Sequence, residues 1–132
     1  MLIAAAMMAL ATSVQTTVVI YPEIVYFKQK QDALTDTAKV TLDRAAESYR
    51  KAGGQVVLAG HTDRHGSDAA NVSLSQMRAM GVRDYLIANG VPAAAITTQA
   101  FGESRPAVDT PDNVREAGNN RVEVTFGPGS GW

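Results

Sequence analysis

The chain has 132 residues, of which 45% are hydrophobic and 19% are charged, so it has the size and composition of one ordinary globular domain. Twelve basic residues against 13 acidic ones give a formal charge of −1 without any basic run, which argues against a nucleic-acid-binding surface. There is no cysteine, so disulfide bonds and thiol chemistry are excluded.

An apolar N-terminal segment, residues 1–17, precedes the predicted domain at residues 18–127. Residues 2–10 have the composition of the apolar centre of a secretory signal, and residues 9–11 fit a small-residue cleavage site, although the usual basic start is missing. Two interpretations remain open: the remnant of an export signal, or a segment that packs on the domain or on a second copy. Polar residues interrupt the run well short of the roughly 20 apolar residues of a membrane span.

The first predicted elements are a strand at residues 24–27 and a helix that starts after Thr35, a plausible N-cap. The apolar residues of this helix recur at spacings of three and four, which predicts an amphipathic helix: Ala38, Leu42, Ala45, Tyr49 and Ala52. The helix is expected to end at the pair Gly53-Gly54.

A strand, a polar loop and a second helix follow within residues 55–85. Residues 56–59 are all apolar, which predicts a strand covered on both faces and ended by Gly60. Five polar residues come next at positions 61–65, at the strand end where ligands bind in sheets covered by helices. The helix is predicted over residues 71–88, and its apolar face is expected to contain Leu74, Met77, Gly81, Val82, Tyr85 and Leu86.

The last third of the chain contains a short helical turn at residues 92–95, a third strand at 96–101 and a long connection. That connection, residues 102–120, is expected to include a helical turn near 113–117. Residues 121–126 alternate between apolar and polar, which predicts a final strand, and residues 128–132 form a tail. These elements predict an α+β fold, a two-layer α/β sandwich in which a small mixed sheet carries the helices on one face.

Asp63 in the polar loop and Arg78 on the second helix are the candidate binding residues. A carboxylate and a guanidinium that face one pocket form a receptor for a zwitterion, because the planar fork of arginine matches a ligand carboxylate. The alternative from the residues alone is a structural ion pair that ties the loop to the helix.

The sequence G-H-T-D-x-x-G followed by N-x-x-L-S-x-x-R-A resembles the signature of the OmpA-like peptidoglycan-binding domain. The residues that match it are Gly60, His61, Thr62, Asp63, Gly66, Asn71, Leu74, Ser75, Arg78 and Ala79. The resemblance covers about residues 25–126 and implies the element order β-α-β-α-β-β, with a short helical insertion before the last strand.

The resemblance also implies a ligand, the meso-diaminopimelate of peptidoglycan stem peptides. Asp63 would hold its amino group and Arg78 its carboxylate, with Asn71 as a further contact and Thr62 contributing through its backbone or hydroxyl. Leu74 and Phe27 are expected to be pocket walls at most. Arg121 is expected to be a structural anchor paired with a loop carboxylate, His61 a hydrogen-bonded structural residue, and Gly66 a turn residue.

Two positions depart from the family pattern. Lys28 follows Phe27 where relatives commonly have an acidic residue, so it would either repel the ammonium group held by Asp63 or attract an extra carboxylate. The usual Asn-Arg-Arg run is replaced by Asn119-Asn120-Arg121, with the loss of one arginine.

A metal site at His61, Asp63 and His65 is an alternative that would support a metal-dependent hydrolase, but zinc sites usually require three or four ligands, and only two histidines are present. No nucleophile elbow, cysteine–histidine pair or pair of flanking carboxylates occurs. Neither an enzyme nor a cofactor is expected.

The sequence therefore predicts a non-catalytic module that recognises diaminopimelate and tethers an envelope component to the cell wall, in the periplasm or against the outer membrane. The rival prediction is an interaction module that has lost wall binding and works through an envelope protein partner or a homodimer.

Overall fold

The computed structural model describes residues 22–127, which form four strands and two helices. The elements in chain order are β1 (Glu23–Tyr26), α1 (Asp36–Ala52), β2 (Val56–Gly60), α2 (Asp68–Ala88), β3 (Ile96–Ala100) and β4 (Arg121–Phe126). Single 3₁₀ turns at Ala93–Ala95 and Ala117–Asn119 precede β3 and β4. The predicted N-terminal segment and the tail at residues 128–132 lie outside the described residues.

The strands form one mixed sheet in the order β1-β4-β2-β3. Strand β4 is antiparallel to both β1 and β2, whereas β2 and β3 run parallel. Both helices share a single apolar core with alternate residues of the sheet, among them Val25, Leu58 and Val124. The predicted α+β class and element order are confirmed. No helix within residues 22–127 is long and apolar enough to cross a membrane.

Helix α1 forms as its sequence predicts. The Thr35 hydroxyl accepts a hydrogen bond from the backbone N–H of Ala38 at 3.1 Å, which satisfies one of the free donors at the helix start. Gly53 ends the helix with a φ of 63°, a conformation that glycine adopts without strain. The buried face contains Ala38, Leu42, Ala45 and Ala46. The predicted Ala52 is exposed.

Helix α2 starts earlier than predicted, and its buried face matches the predicted one only at Val82 and Leu86. Its N-cap is Ser67, whose hydroxyl accepts from the N–H of Ala70. The buried residues are Asn71, Ser75, Arg78, Ala79, Val82 and Leu86. The prediction that Met77 is buried is wrong, because 55% of its surface is exposed, and Leu74 is only half-buried. Polar side chains occupy the buried stripe at the start of the helix because each finds a hydrogen-bond partner there.

The connection between β3 and β4 also differs from its prediction. The helical turn expected near residues 113–117 is absent, and the 3₁₀ turn lies later, at Ala117–Asn119. Asn113 adopts a φ of 61°, outside the right-handed helical region. Its backbone N–H donates to the carbonyl of Arg64, and its Oδ1 accepts from the N–H of Gly66. These contacts tie the connection to the polar loop after β2.

Candidate functional site

The loop at residues 61–65 is held between two other segments at the end of β2. The N–H of His61 donates to the carbonyl of Arg121 at 2.9 Å, and the N–H of Thr62 donates to the carbonyl of Gly102 at 2.8 Å. The loop thus continues the sheet pairing beyond Gly60 before it turns. Its position is therefore fixed by the strands on either side of β2.

Asp63 is a buried carboxylate that is held by neutral donors. Its Oδ1 accepts from the N–H of His65 at 3.1 Å, and its Oδ2 accepts from Asn120 Nδ2 at 2.9 Å and from the N–H of Glu116 at 3.3 Å. Only 2% of Asp63 is exposed, yet it lines a pocket of ≈ 400 Å³. Because a carboxylate has about four acceptor sites and three are used, Oδ1 retains capacity for one more donor.

Arg78 is completely buried, and its guanidinium links three parts of the chain. Nε donates to the carbonyl of Gln31 at 2.8 Å, and Nη2 donates to that of Lys28 at 3.1 Å. Nη1 donates to the carbonyl of His61 and to Asn120 Oδ1, both at 3.0 Å. One of its five N–H groups therefore has no partner within residues 22–127.

The charge of Arg78 persists despite this burial. Burial lowers the pKa of its guanidinium to about 10, while the charges of Asp63 and Asp32 oppose that shift. The guanidinium remains protonated at neutral pH, and its carbon lies 5.2 Å from the centre of the Phe27 ring. Arg78 thus supplies a positive charge behind the pocket.

Asn120 joins the two predicted binding residues. Among the ion pairs of the described chain, none connects Asp63 directly to Arg78. Asn120 Oδ1 accepts both from Arg78 and from the N–H of Asp63, and Asn120 Nδ2 donates to the Asp63 carboxylate. Asn120 departs from the family pattern and directly precedes the strand that pairs with β2, but no contact was predicted for it.

Three further predicted residues hold the loop itself. Asn71 Nδ2 donates to the carbonyls of Asp63 and His65, and the Thr62 hydroxyl donates to the carbonyl of Asp63 at 2.9 Å. Gly66 has a φ of +96°, and a Cβ there would lie 2.5 Å from Lys30 Nζ. The hydroxyl and N–H of Thr62 are therefore already engaged within the protein.

The pocket is lined by Asp63, by two other predicted residues and by several residues for which no contact was predicted. Phe27 is buried and Lys28 is exposed, and both line it. Leu74 does not line it. The remaining lining residues, besides Asp63, are Gln29, Arg115, Glu116, Ala117 and Asn120. The long connection before β4 contains no motif that would have identified Arg115 or Glu116.

His61 is buried without the hydrogen bonds that were predicted for it. Neither ring nitrogen has a hydrogen-bond partner within residues 22–127. The ring stacks on Phe101 with its centre 5.3 Å away, and Nε2 lies 3.6 Å from Glu123 Oε2. Burial, together with the charges of Arg121 and Arg105, lowers the pKa of His61 to about 4. The imidazole is consequently neutral at neutral pH, so its contact with Glu123 is not an ion pair there.

Arg121 is anchored by a carboxylate of its own strand and by a carbonyl of the connection before it. Its Nε donates to Glu123 Oε1 at 3.1 Å, and its Nη2 donates to the carbonyl of Arg105 at 3.1 Å. The prediction that a loop carboxylate pairs with it is wrong, because Glu123 lies two residues further along β4. Residues two apart in a strand point to the same side of a sheet, which places these charges together.

The metal hypothesis receives no geometric support from the described part of the chain. Within residues 22–127, no three histidine, aspartate or glutamate side chains are grouped in a way that could hold a metal ion. His61 lies against Phe101, while Asp63 faces the pocket.

Comparison with known sequences places the chain in a family. A sequence model of the OmpA family matches residues 26–121. The chain belongs to the OmpA family. It is 35% identical over 99 residues to the peptidoglycan-associated lipoprotein of Pseudomonas aeruginosa, covering 75% of this chain and 59% of that protein. It is 49% identical over 80 residues to outer membrane protein A of Shimwellia blattae, covering 54% of this chain and 33% of that protein. The chain thus spans about a third to three-fifths of these relatives.

Solved structures share the fold. The peptidoglycan-associated lipoprotein of Burkholderia pseudomallei superposes with a TM-score of 0.70 at 26% identity, covering 79% of this chain and 89% of that one. The cell wall anchor of the T6SS from Pseudomonas aeruginosa gives 0.66 at 27% identity, covering 81% and 86%. The predicted family resemblance is confirmed.

Proposed function

We propose that this chain is a non-catalytic module of the periplasm or cell envelope that binds peptidoglycan and tethers an envelope component to the wall. The observation that carries the proposal is the Asp63 carboxylate. It lines an open pocket, is held by neutral N–H donors and has one acceptor site left. A rigid carboxylate that forms no ion pair within residues 22–127 is suited to accept an ammonium group of a ligand.

The ligand that fits best is the zwitterionic end of meso-diaminopimelate in a stem peptide. Its ammonium group would bind Asp63, and its carboxylate would bind the guanidinium of Arg78. Because Arg78 is completely buried and does not line the pocket, this contact requires the segment over Arg78 to move. Binding through the whole planar fork requires the segment at residues 28–31 to release the two carbonyls that now accept from Arg78. We therefore expect ligand binding to displace this segment.

The names of two relatives support the same assignment. One is called a peptidoglycan-associated lipoprotein and another a cell wall anchor. Binding should be reversible and of modest affinity, because a single zwitterion offers few contacts to offset the cost of ordering.

Co-sedimentation with purified sacculi tests the proposal. We expect the wild type to pellet with diaminopimelate-type sacculi, and Asp63→Asn to reduce the bound fraction by about tenfold, since a charge-assisted hydrogen bond is lost. Arg78→Lys keeps the charge but loses the planar fork, so it should also weaken binding. The control is Asp84→Asn, an exposed aspartate in the last two turns of α2.

A second co-sedimentation experiment uses sacculi whose stem peptides contain lysine in place of diaminopimelate, because lysine lacks the carboxylate of the diaminopimelate zwitterion. We expect little binding to them. Thermal unfolding of each variant separates a lost contact from a lost fold. The proposal fails if folded wild type stays in the supernatant, or if Asp63→Asn pellets as the wild type does. Self-association of the chain would then favour the rival assembly module.

A further inference from the structure

Free positive charges are concentrated at the pocket beside Asp63. Three basic side chains of residues 22–127 make no hydrogen bond, ion pair or ring contact through their charged groups: Lys28, Lys39 and Arg115. Two of the three, Lys28 and Arg115, line this pocket, whereas Lys39 lies on the exposed side of α1. All three are exposed, so their charges are available to a ligand.

The carboxylates of the same pocket are engaged by N–H groups of the protein. Asp63 accepts from three donors, and Glu116 Oε1 accepts from the backbone N–H of Gly118 at 3.2 Å. Neither carboxylate forms an ion pair with Lys28 or Arg115. The pocket therefore presents two unpaired cations on its rim, beside the carboxylates of Asp63 and Glu116, which are held only by neutral N–H donors.

We propose that Lys28 and Arg115 determine ligand specificity by binding a second carboxylate of the stem peptide, one that does not belong to the zwitterion at Asp63 and Arg78. This inference rests on the proposed function and narrows its ligand to a peptide with a free carboxylate beside the diaminopimelate amine. It also selects between the two effects of Lys28 that the sequence left open. Arg115 on the same pocket supplies a second unpaired cation, so an acidic group of the ligand would meet two positive charges there.

Two carboxylates of a stem peptide have the required chemistry: the α-carboxylate of the γ-linked D-glutamyl residue and the carboxylate at the peptide's C-terminus. Amidation removes the charge of either group and leaves its size nearly unchanged. Matched peptides therefore distinguish the two sources.

Calorimetric titration of the full chain with three soluble tripeptides, L-Ala-γ-D-Glu-diaminopimelate and its two single amides, is the test. We expect one amide to bind about twofold to tenfold more weakly than the free acid, as the loss of one or two exposed ion pairs predicts. The double variant Lys28→Gln/Arg115→Gln should bind the free acid and that amide equally. Lys39→Gln, the matched control, should retain the wild-type discrimination.

The outcomes separate the inference from the proposed function. If Asp63→Asn abolishes binding while neither amidation nor the double variant changes affinity, the zwitterion site stands and the role of Lys28 and Arg115 is overturned. If the wild type binds none of the tripeptides, the proposed function and this inference both fail. If Lys39→Gln loses discrimination as well, the effect reflects net charge and not this pocket.

Discussion

Arg78 is the largest fully buried side chain of the described domain, and its charge is matched by carbonyl oxygens and by an amide, not by a carboxylate. A buried charge without such partners would cost several kcal/mol, so any of these contacts that is lost must be replaced by another acceptor, such as the carboxylate of a ligand. The same contacts that stabilise the fold also position Asp63. Binding and stability are therefore coupled at these residues.

His61 supplies a prediction at the scale of one residue. The pKa of His61 is about 4 in the folded chain and near 6.5 in the unfolded chain. Between pH 4 and pH 6.5 the unfolded chain therefore binds a proton at His61 that the folded chain does not. The stability contribution of neutral His61 is thus fully present above pH 6.5 and is lost as the pH falls toward 4. The expected loss is about 3 kcal/mol in the free energy of unfolding.

Urea denaturation of wild type and His61→Phe at pH 7 and pH 4 measures this effect, because phenylalanine keeps the stacked ring but cannot bind a proton. The variant should lose less stability on acidification than the wild type by about that amount. Equal losses in both proteins would mean that His61 does not titrate in this range.

At the scale of elements, one glycine is required for the packing of β2 against α2. A second glycine, within α2, is not required by its surroundings. A Cβ on Gly60 would lie 2.1 Å from the carbonyl oxygen of Ser75, so the strand and helix touch backbone to backbone. On α2, a Cβ at Gly81 would meet only the carbonyl oxygen of Asp32, at 3.8 Å. Position 60 must be glycine because there is no room for a Cβ. At position 81, glycine only increases the conformational entropy of the unfolded chain.

Alanine substitutions at these glycines should have opposite effects on thermal stability. Gly60→Ala should destabilise the domain by about 1–3 kcal/mol, because the helix must move away from the strand. Gly81→Ala should stabilise it by about 0.5–1 kcal/mol, since alanine is the better helix former. A stabilising Gly60→Ala variant would contradict the close approach of β2 and α2.

At the scale of the whole molecule, strand order assembles the site. Because β4 lies between β1 and β2, the chain segments next to these strands' ends carry Phe27, Asp63 and Asn120 to one pocket. Phe27 and Asp63 are 36 positions apart in the chain, and Asp63 and Asn120 are 57 positions apart. The apolar core contains residues of both helices and of the central strands, so one cooperative unit supports the pocket.

We expect a fragment of residues 22–127 to fold and to bind sacculi as the full chain does, since it contains the apolar core described above and every residue of the proposed site. The measurements are circular dichroism on heating and the same co-sedimentation assay. A folded fragment that no longer binds would show that residues outside this range take part in wall binding.

Elements with local sequence signals were predictable before any tertiary contact was known. Apolar periodicity with Thr35 and the Gly53-Gly54 pair specified α1, the apolar run at residues 56–59 specified β2, and alternation specified β4. The motif around Asp63 and Arg78 identified the family, because a glycine turn, a polar loop and a helix at that spacing are a specific combination. These features depend on neighbours within a few residues along the chain.

Tertiary structure alone decided which polar groups meet. The buried stripe of α2 contains Asn71, Ser75 and Arg78 instead of Met77, because loop carbonyls and Asn120 supply partners that periodicity cannot reveal. The missing hydrogen bonds of His61 and the bridging position of Asn120 likewise follow from contacts across the sheet. Whether a buried polar group finds a hydrogen-bond partner depends on segments that are distant in the chain and meet only in the folded protein. The contacts within the site could therefore not be predicted from local sequence patterns.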